Sequence, residues 1–176
     1  MRAVQSKAHH EIQVISLQKV AIFVDVQNVY YTTKQAFGRN FDYNAFWKAA
    51  TLNREVVKAV AYAIDRSDEK QRQFQNILRA IGFEVKLKPF IQRADGSAKG
   101  DWDVGITVDV MDHAEAADVV ILVTGDGDFD RLVNRIKDKH RVTVEVYGVE
   151  QLTAISLIRS ATQFIPIENK LLLGQG

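Results

Sequence analysis

Two hydrophobic rhythms take turns along this chain. Short unbroken apolar runs suit strands buried on both faces of a sheet, and between them apolar residues recur at three and four positions, the spacing of one helix face. Val20-Ala-Ile-Phe-Val-Asp-Val26 is the first such run and ends beside Asp25 and Asn28. Val56 to Ile64 forms a second run and Val119 to Val123 a third, while Phe83 to Phe90 alternates like a half-exposed strand. Arg141 to Tyr147 and Gln163 to Ile167 read as the last strands. Helices are predicted over residues 42–53, capped by Asp42 or Asn44, and over Lys70 to Ile81, stopped by Gly82 with Phe74, Ile77, Leu78 and Ile81 facing inward. Further helices are predicted over residues 103–115, from Phe129 onward through Leu132, Val133 and Ile136, and over Leu152 to Ser160. Residues 92–100, with Asp95-Gly96-Ser97, read as a mobile loop.

Strands alternating with helices imply right-handed crossovers and a mainly parallel sheet. The expected fold is therefore α/β: a three-layer α/β/α sandwich spanning residues 19–168. Residues 1–18 form a tail or appended helix, and residues 169–176 form a C-terminal tail.

Composition narrows the chemistry. A length of 176 residues, 47% of them hydrophobic, suits one substantial core. The net charge of +1 gives no global pull toward nucleic acid or membrane, so any such binding rests on local patches. The absence of cysteine removes disulfides and thiolate zinc sites and fits a reducing cytoplasm. No apolar run approaches the ~20 residues of a membrane span, and no signal-peptide pattern opens the chain. A cytoplasmic protein without a membrane partner is expected, and a homodimer stays open.

The acids carry the sharper signal. Thr124-Gly-Asp-Gly-Asp-Phe129 sets Asp126 and Asp128 at the carboxyl end of a buried strand, where open α/β sheets bind ligands. If that strand lies beside the first one, Asp25 and Asp126 face a single crevice. Asp101 and Asp103 begin the preceding helix and can reach the same rim. Oxygen ligands without His or Cys select a hard cation, Mg²⁺ or Mn²⁺. Asp101, Asp103 and Asp128 read equally well as helix caps. Asp25 is harder to dismiss, because a carboxylate finishing an apolar strand needs a partner. Asp109, about 120° around the helix from Asp103, supports the site from behind or is structural. Asn28 orients a neighbour or caps the turn.

Other constellations fail. Gly125-Asp-Gly127 lacks the third glycine of a dinucleotide loop, since Asp130 stands there. No phosphate-binding Gly-x-x-x-x-Gly-Lys loop and no Gly-x-Ser-x-Gly elbow occurs.

The ordered set Asp25-Val-Gln-Asn28, Lys99-Gly100 leading to Asp103, then Asp109, then Thr124-Gly-Asp-Gly-Asp-Phe129 resembles NYN domains, and their LabA-like branch most of all, relatives of the PIN-domain nucleases. The resemblance runs from about Lys19 to Ile167. It implies a PIN-like sandwich and a metal-dependent ribonuclease site in which Asp25, Asp103, Asp126 and Asp128 match the acidic positions and Asn28 the polar one. Val26 stands where many relatives have glycine, and Trp102 is bulkier than is usual there.

The implied reaction is phosphodiester hydrolysis, with RNA as partner and Mg²⁺ or Mn²⁺ as cofactor. Asp25 and Asp126 are expected as principal ligands, Asp103 and Asp128 as completing the shell, and Asn28 as orienting the phosphate or Asp25. Phosphate contacts are expected from Lys99, Arg93, Lys86, Lys88, Lys34 and Arg39, and base stacking from Tyr30, Tyr31 and Trp102, with Thr124 completing the substrate contacts. The alternatives are a non-catalytic RNA- or protein-binding regulatory module, and phosphoryl transfer on a small molecule. The latter lacks a phosphate cradle.

Overall fold

The computed structural model describes residues 16–174 apart from 93, 95–97 and 100. Six strands form one sheet in the order β3-β2-β1-β6-β7-β8. They are β1 (Gln18–Asp25), β2 (Arg54–Asp65), β3 (Glu84–Pro89), β6 (Val119–Val123), β7 (Thr143–Gly148) and β8 (Gln163–Pro166). Every neighbouring pair is parallel. The chain builds outward from β1 to β3, then returns to lay β6 on the other side of β1. The topological switch therefore falls between β1 and β6, where open sheets leave a crevice at their carboxyl ends.

The alternation of side chains along β1 divides the core. Val20, Ile22 and Val24 face one layer; Ala21 and Phe23 face the other. The first layer is covered by α1 (Val26–Phe37), α2 (Tyr43–Thr51) and α3 (Glu69–Ile81). Its centre is aromatic: Phe46 packs edge-on against Tyr147 and lies beside Phe41, while Tyr43 and Trp47 meet Phe83. The second layer is α4 (Asp103–His113), α5 (Asp130–His140) and α6 (Ile155–Ser160). Phe129, Leu132, Val133 and Ile136 are all buried there, as their spacing requires.

Local chemistry fixes the helix ends. Asp42 accepts the Ala45 amide at 3.0 Å and Asp68 the Gln71 amide at 3.0 Å, each satisfying a first-turn donor. Gly82 ends α3 at φ 138°, and a Cβ there would stand 2.7 Å from the Trp47 ring. Only glycine meets both demands.

The structure departs from expectation in five places. The segment after Asp25 is a full helix, α1, which the apolar pattern did not reveal. Ile77 of α3 points outward and is 52% exposed, and Gln75 takes the buried position instead. The ends of the loop at residues 92–100 pair as a small antiparallel ribbon, β4 (Ile91–Gln92) with β5 (Ala98–Lys99). The helix expected from Leu152 begins only at Ile155, after a single 3₁₀ turn at Glu150–Leu152. Residues 169–174 are held against the domain: Leu172 is buried and bridges Phe41, and the Arg39 guanidinium donates to the Leu172, Leu173 and Gly174 carbonyls. Gln18 already belongs to β1, and the expectation for residues 1–15 lies outside the described residues.

Candidate active site

The crevice at the switch is laced together by side chains from both strand ends. Val24 of β1 pairs with Val123 of β6, so Asp25 and Thr124 emerge side by side. The Thr124 hydroxyl donates to Asp25 Oδ2 at 3.2 Å, and the Asn28 amide donates to Oδ1 at 3.4 Å. Asn28 Oδ1 in turn accepts the Gly125 amide at 2.8 Å, tying the start of α1 to the turn after β6. Within that turn the Asp126 amide donates to Thr124 Oγ1, and Asp126 Oδ1 accepts the Asp128 amide at 3.0 Å. Asp103 enters from the first turn of α4, its amide donating to Asp101 Oδ1 at 3.3 Å. Carboxylate oxygens of Asp103, Asp126 and Asp128 then lie within 4.8 Å of one another.

Close packing explains the glycines in this turn. A Cβ on Gly127 would stand 2.7 Å from Ala154 Cβ, and one on Gly125 would stand 3.0 Å from the Leu152 carbonyl oxygen. The turn is thus pressed onto residues 152–154, and its glycines permit that close approach. Gly105 plays the same part in α4, since a Cβ there would meet the Trp102 ring at 2.6 Å.

The electrostatics are strained by design of the fold. Burial raises the Asp103 carboxyl to about 7, helped by its hydrogen bond with Asp126 and by the charges of Asp126, Asp101 and Asp25. Burial also pushes Asp25 up to about 6, against the stabilising bonds from Asn28 and Thr124. Two such charges ~4 Å apart repel by about 4 kcal/mol at an effective dielectric of ~20. Among the described residues, no lysine or arginine forms an ion pair with the three clustered acids. An all-carboxylate donor set, partly buried and short of positive charge, fits a hard divalent cation.

The other singled-out residues divide clearly. Asp25 sits behind the trio rather than in it, with both oxygens already hydrogen-bonded. Asp109 is structural, accepting from the Lys86 ammonium and the Tyr62 hydroxyl, each at 2.8 Å. That ion pair also removes Lys86 from the phosphate contacts, as the C-terminal segment removes Arg39. Lys88 donates to the Asp101 carbonyl and lies over the Trp102 ring. Trp102 donates its indole N–H to the Ala63 carbonyl and packs on Tyr62, so it seals the crevice wall instead of offering a free stacking face. Thr124 is buried, and its hydroxyl donates to Asp25. Tyr31 and Lys34 stand exposed on α1. The expectations for Arg93 and for the Lys99 side chain lie outside the described residues. Sequence reasoning missed Arg66 and Lys70, which the end of β2 and the start of α3 set opposite Lys34 across a cleft. It also missed residues 152–154 as the floor under the acidic turn. The paired glycines of that turn were the available signal.

A model of the NYN domain matches residues 19–168. The chain belongs to the NYN domain family. A relative, the low amplitude and bright protein LabA of Synechococcus elongatus, is 27% identical over 161 residues, covering 86% of this chain and 84% of that protein. A crystal structure of a protein of unknown function from Vibrio parahaemolyticus is 57% identical, with a TM-score of 0.87, covering 92% of this chain and all of that one. NYN membership goes with a PIN-like fold and supports a nuclease-type family, and the crevice described above lies inside the matched segment. No helix among the described residues is long and apolar enough to cross a membrane.

Proposed function

We propose that this protein is a divalent-metal-dependent ribonuclease that hydrolyses phosphodiester bonds in single-stranded RNA. The observation that carries the reading is the convergence of Asp103, Asp126 and Asp128, from two separate segments, into one carboxylate cluster that has no ion-pair partner among the described residues. NYN membership supports the nuclease class, and RNA within it. Asp103, Asp126 and Asp128 would hold Mg²⁺ or Mn²⁺. Such an ion supplies Lewis-acid polarisation of the phosphate and acidifies a water for attack.

The chain's own residues prepare that site. Asn28 and Thr124 fix the turn, so Asp126 and Asp128 need not reorganise when a ligand arrives. Asp25, raised to about 6 and held by two donors, sets the charge beneath the cluster. Asp103, at about 7, still holds a proton near neutral pH when no ion is bound, and a cation would displace that proton on binding. Trp102, sealed onto Ala63 and Tyr62, limits water from that side. The lack of a membrane-spanning helix among the described residues is consistent with action in the cytoplasm.

Incubation of labelled single-stranded RNA with the full chain tests the reading. Cleavage should require Mn²⁺ or Mg²⁺, stop with EDTA, and fall by roughly a hundredfold or more in Asp126→Asn, comparable to losing a key electrostatic group. Cleavage unchanged by Asp126→Asn and Asp103→Asn would contradict it. RNA binding without any cleavage by wild type would favour a binding module instead.

A further inference from the structure

A cleft beside the crevice carries a charge pattern opposite to that of the acidic cluster. It measures about 600 Å³ and lies between α1, α3 and the end of β2. It begins at Val26, the residue after Asp25. Among the described residues its walls hold three cations, Lys34, Arg66 and Lys70, and no acidic side chain. None of the three forms an ion pair among the described residues, and all three are exposed. Of the acids nearest in sequence, Asp65 accepts the Ser67 amide at 2.9 Å, Asp68 caps α3, and Glu69 lies 3.9 Å from the Arg72 guanidinium.

The same cleft offers flat rings. Gln27, Tyr30, Tyr31 and Lys34 share one face of α1 by their three- and four-residue spacing, a face about 10 Å long at 1.5 Å per residue. Tyr30 and Tyr31 are 50% and 52% exposed, with their rings packed edge to face 5.4 Å apart. Half of each ring thus stays open to solvent on an otherwise amphipathic helix. Rings bordered by cations without acids suit a strand whose bases stack and whose phosphates pair.

We propose that this cleft is the track for the flanking nucleotides of a single-stranded nucleic acid, leading away from the acidic crevice along α1. Lys34, Arg66 and Lys70 contact phosphates, and Tyr30 and Tyr31 stack bases. The cleft thereby brings a polyanion to carboxylates that would otherwise repel it. The proposal rests on reading nucleic acid as the substrate but not on cleavage. An acidic peptide would meet the same cations but brings no planar bases to stack on the tyrosines. The protein's own residues 1–15 carry Arg2 and Lys7 against a single acid, Glu11, so charge sets them against this cleft.

The experiment is fluorescence anisotropy of a labelled oligouridylate with the full chain in EDTA, over a range of salt. Lys34→Glu combined with Arg66→Glu should weaken binding at least tenfold and flatten the salt dependence by about 1.4 in the log–log slope, two phosphate contacts' worth. Tyr30→Ala with Tyr31→Ala should weaken binding about fivefold or more at an unchanged slope. Asp126→Asn should bind at least as tightly as wild type. Photo-crosslinking with 4-thiouridine oligomers, read by mass spectrometry, should mark α1. Wild-type affinity in both cleft variants, crosslinks confined to other elements, or equal binding of polyglutamate would overturn the proposal. RNA bound through the cleft without cleavage would sink the nuclease reading and leave this one standing. Cleavage with full affinity in both cleft variants would do the reverse.

Discussion

Asp25 and Asp103 each keep a proton that the unfolded chain has already lost. Their folded values, about 6 and about 7, lie above the ordinary 3.8. As pH rises from about 4 to 7 the unfolded chain sheds those protons first, so the metal-free protein must lose stability through that window. For Asp25 the shift is worth on the order of 3 kcal/mol; Asp103, more exposed, adds less because solvent screens it. Thermal melts in EDTA should therefore show a falling midpoint from pH 4.5 to 7.5. Asp25→Asn should flatten that fall and raise the midpoint at pH 7.5 by several degrees. A midpoint that rises across the window would contradict the assignment. Cation binding near pH 6.5 should also release protons, measurable as calorimetric heats that vary with buffer ionisation enthalpy. The aspartates were readable from sequence because a carboxylate closing an apolar strand has nowhere dry to go. The roles of Asn28 and Thr124 were not. Asn28 acts on Gly125, 97 positions away, and nothing local to either residue reports that contact.

The turn at Gly125–Phe129 is the element on which the site depends. Gly127→Ala would drive a methyl to 2.7 Å from Ala154 Cβ, and neither backbone has room to yield without moving Asp126 and Asp128. The expected cost is about 1–3 kcal/mol in urea denaturation, with a larger proportional loss of RNA cleavage. Full stability and full activity in that variant would mean the turn tolerates displacement. Helix α1 illustrates why one element escaped the sequence. Thr32 and Thr33 turn their hydroxyls back onto the Asn28 and Val29 carbonyls, and β-branched residues weaken helix propensity. The helix is fixed instead by its ends and its packing: Asp25 caps it, Gly38 closes it at φ 63°, and Val29 is buried. Helices α3 and α5 were legible because their apolar stripes are regular. The ribbon at residues 91–99 was not, since two-residue strands leave no periodicity to read.

Across the whole molecule, the alternation of apolar runs and helical stripes sufficed for a parallel three-layer fold. The adjacency of β6 and β1, a condition the sequence left open, comes from a sheet that reverses at its first strand. What the alternation left hidden was long-range polar pairing. Arg54 at the start of β2 binds Glu145 of β7 in a two-pronged ion pair at 3.0 and 2.8 Å, with Glu145 buried. Glu145→Gln strips that charge from beneath the guanidinium and should cost about 3 kcal/mol in urea denaturation. A loss below about 1 kcal/mol would show that solvent reaches the pair. The acidic crevice lies at the opposite ends of the strands, so the same substitution should leave metal affinity unchanged. Anomalous scattering from crystals soaked in Mn²⁺ and measured at the manganese absorption edge tests the cluster itself. A peak bounded by the carboxylates of Asp103, Asp126 and Asp128, and lost in Asp126→Asn, is the expected result. A map without density between those three side chains, or with the ion bound elsewhere, would contradict it.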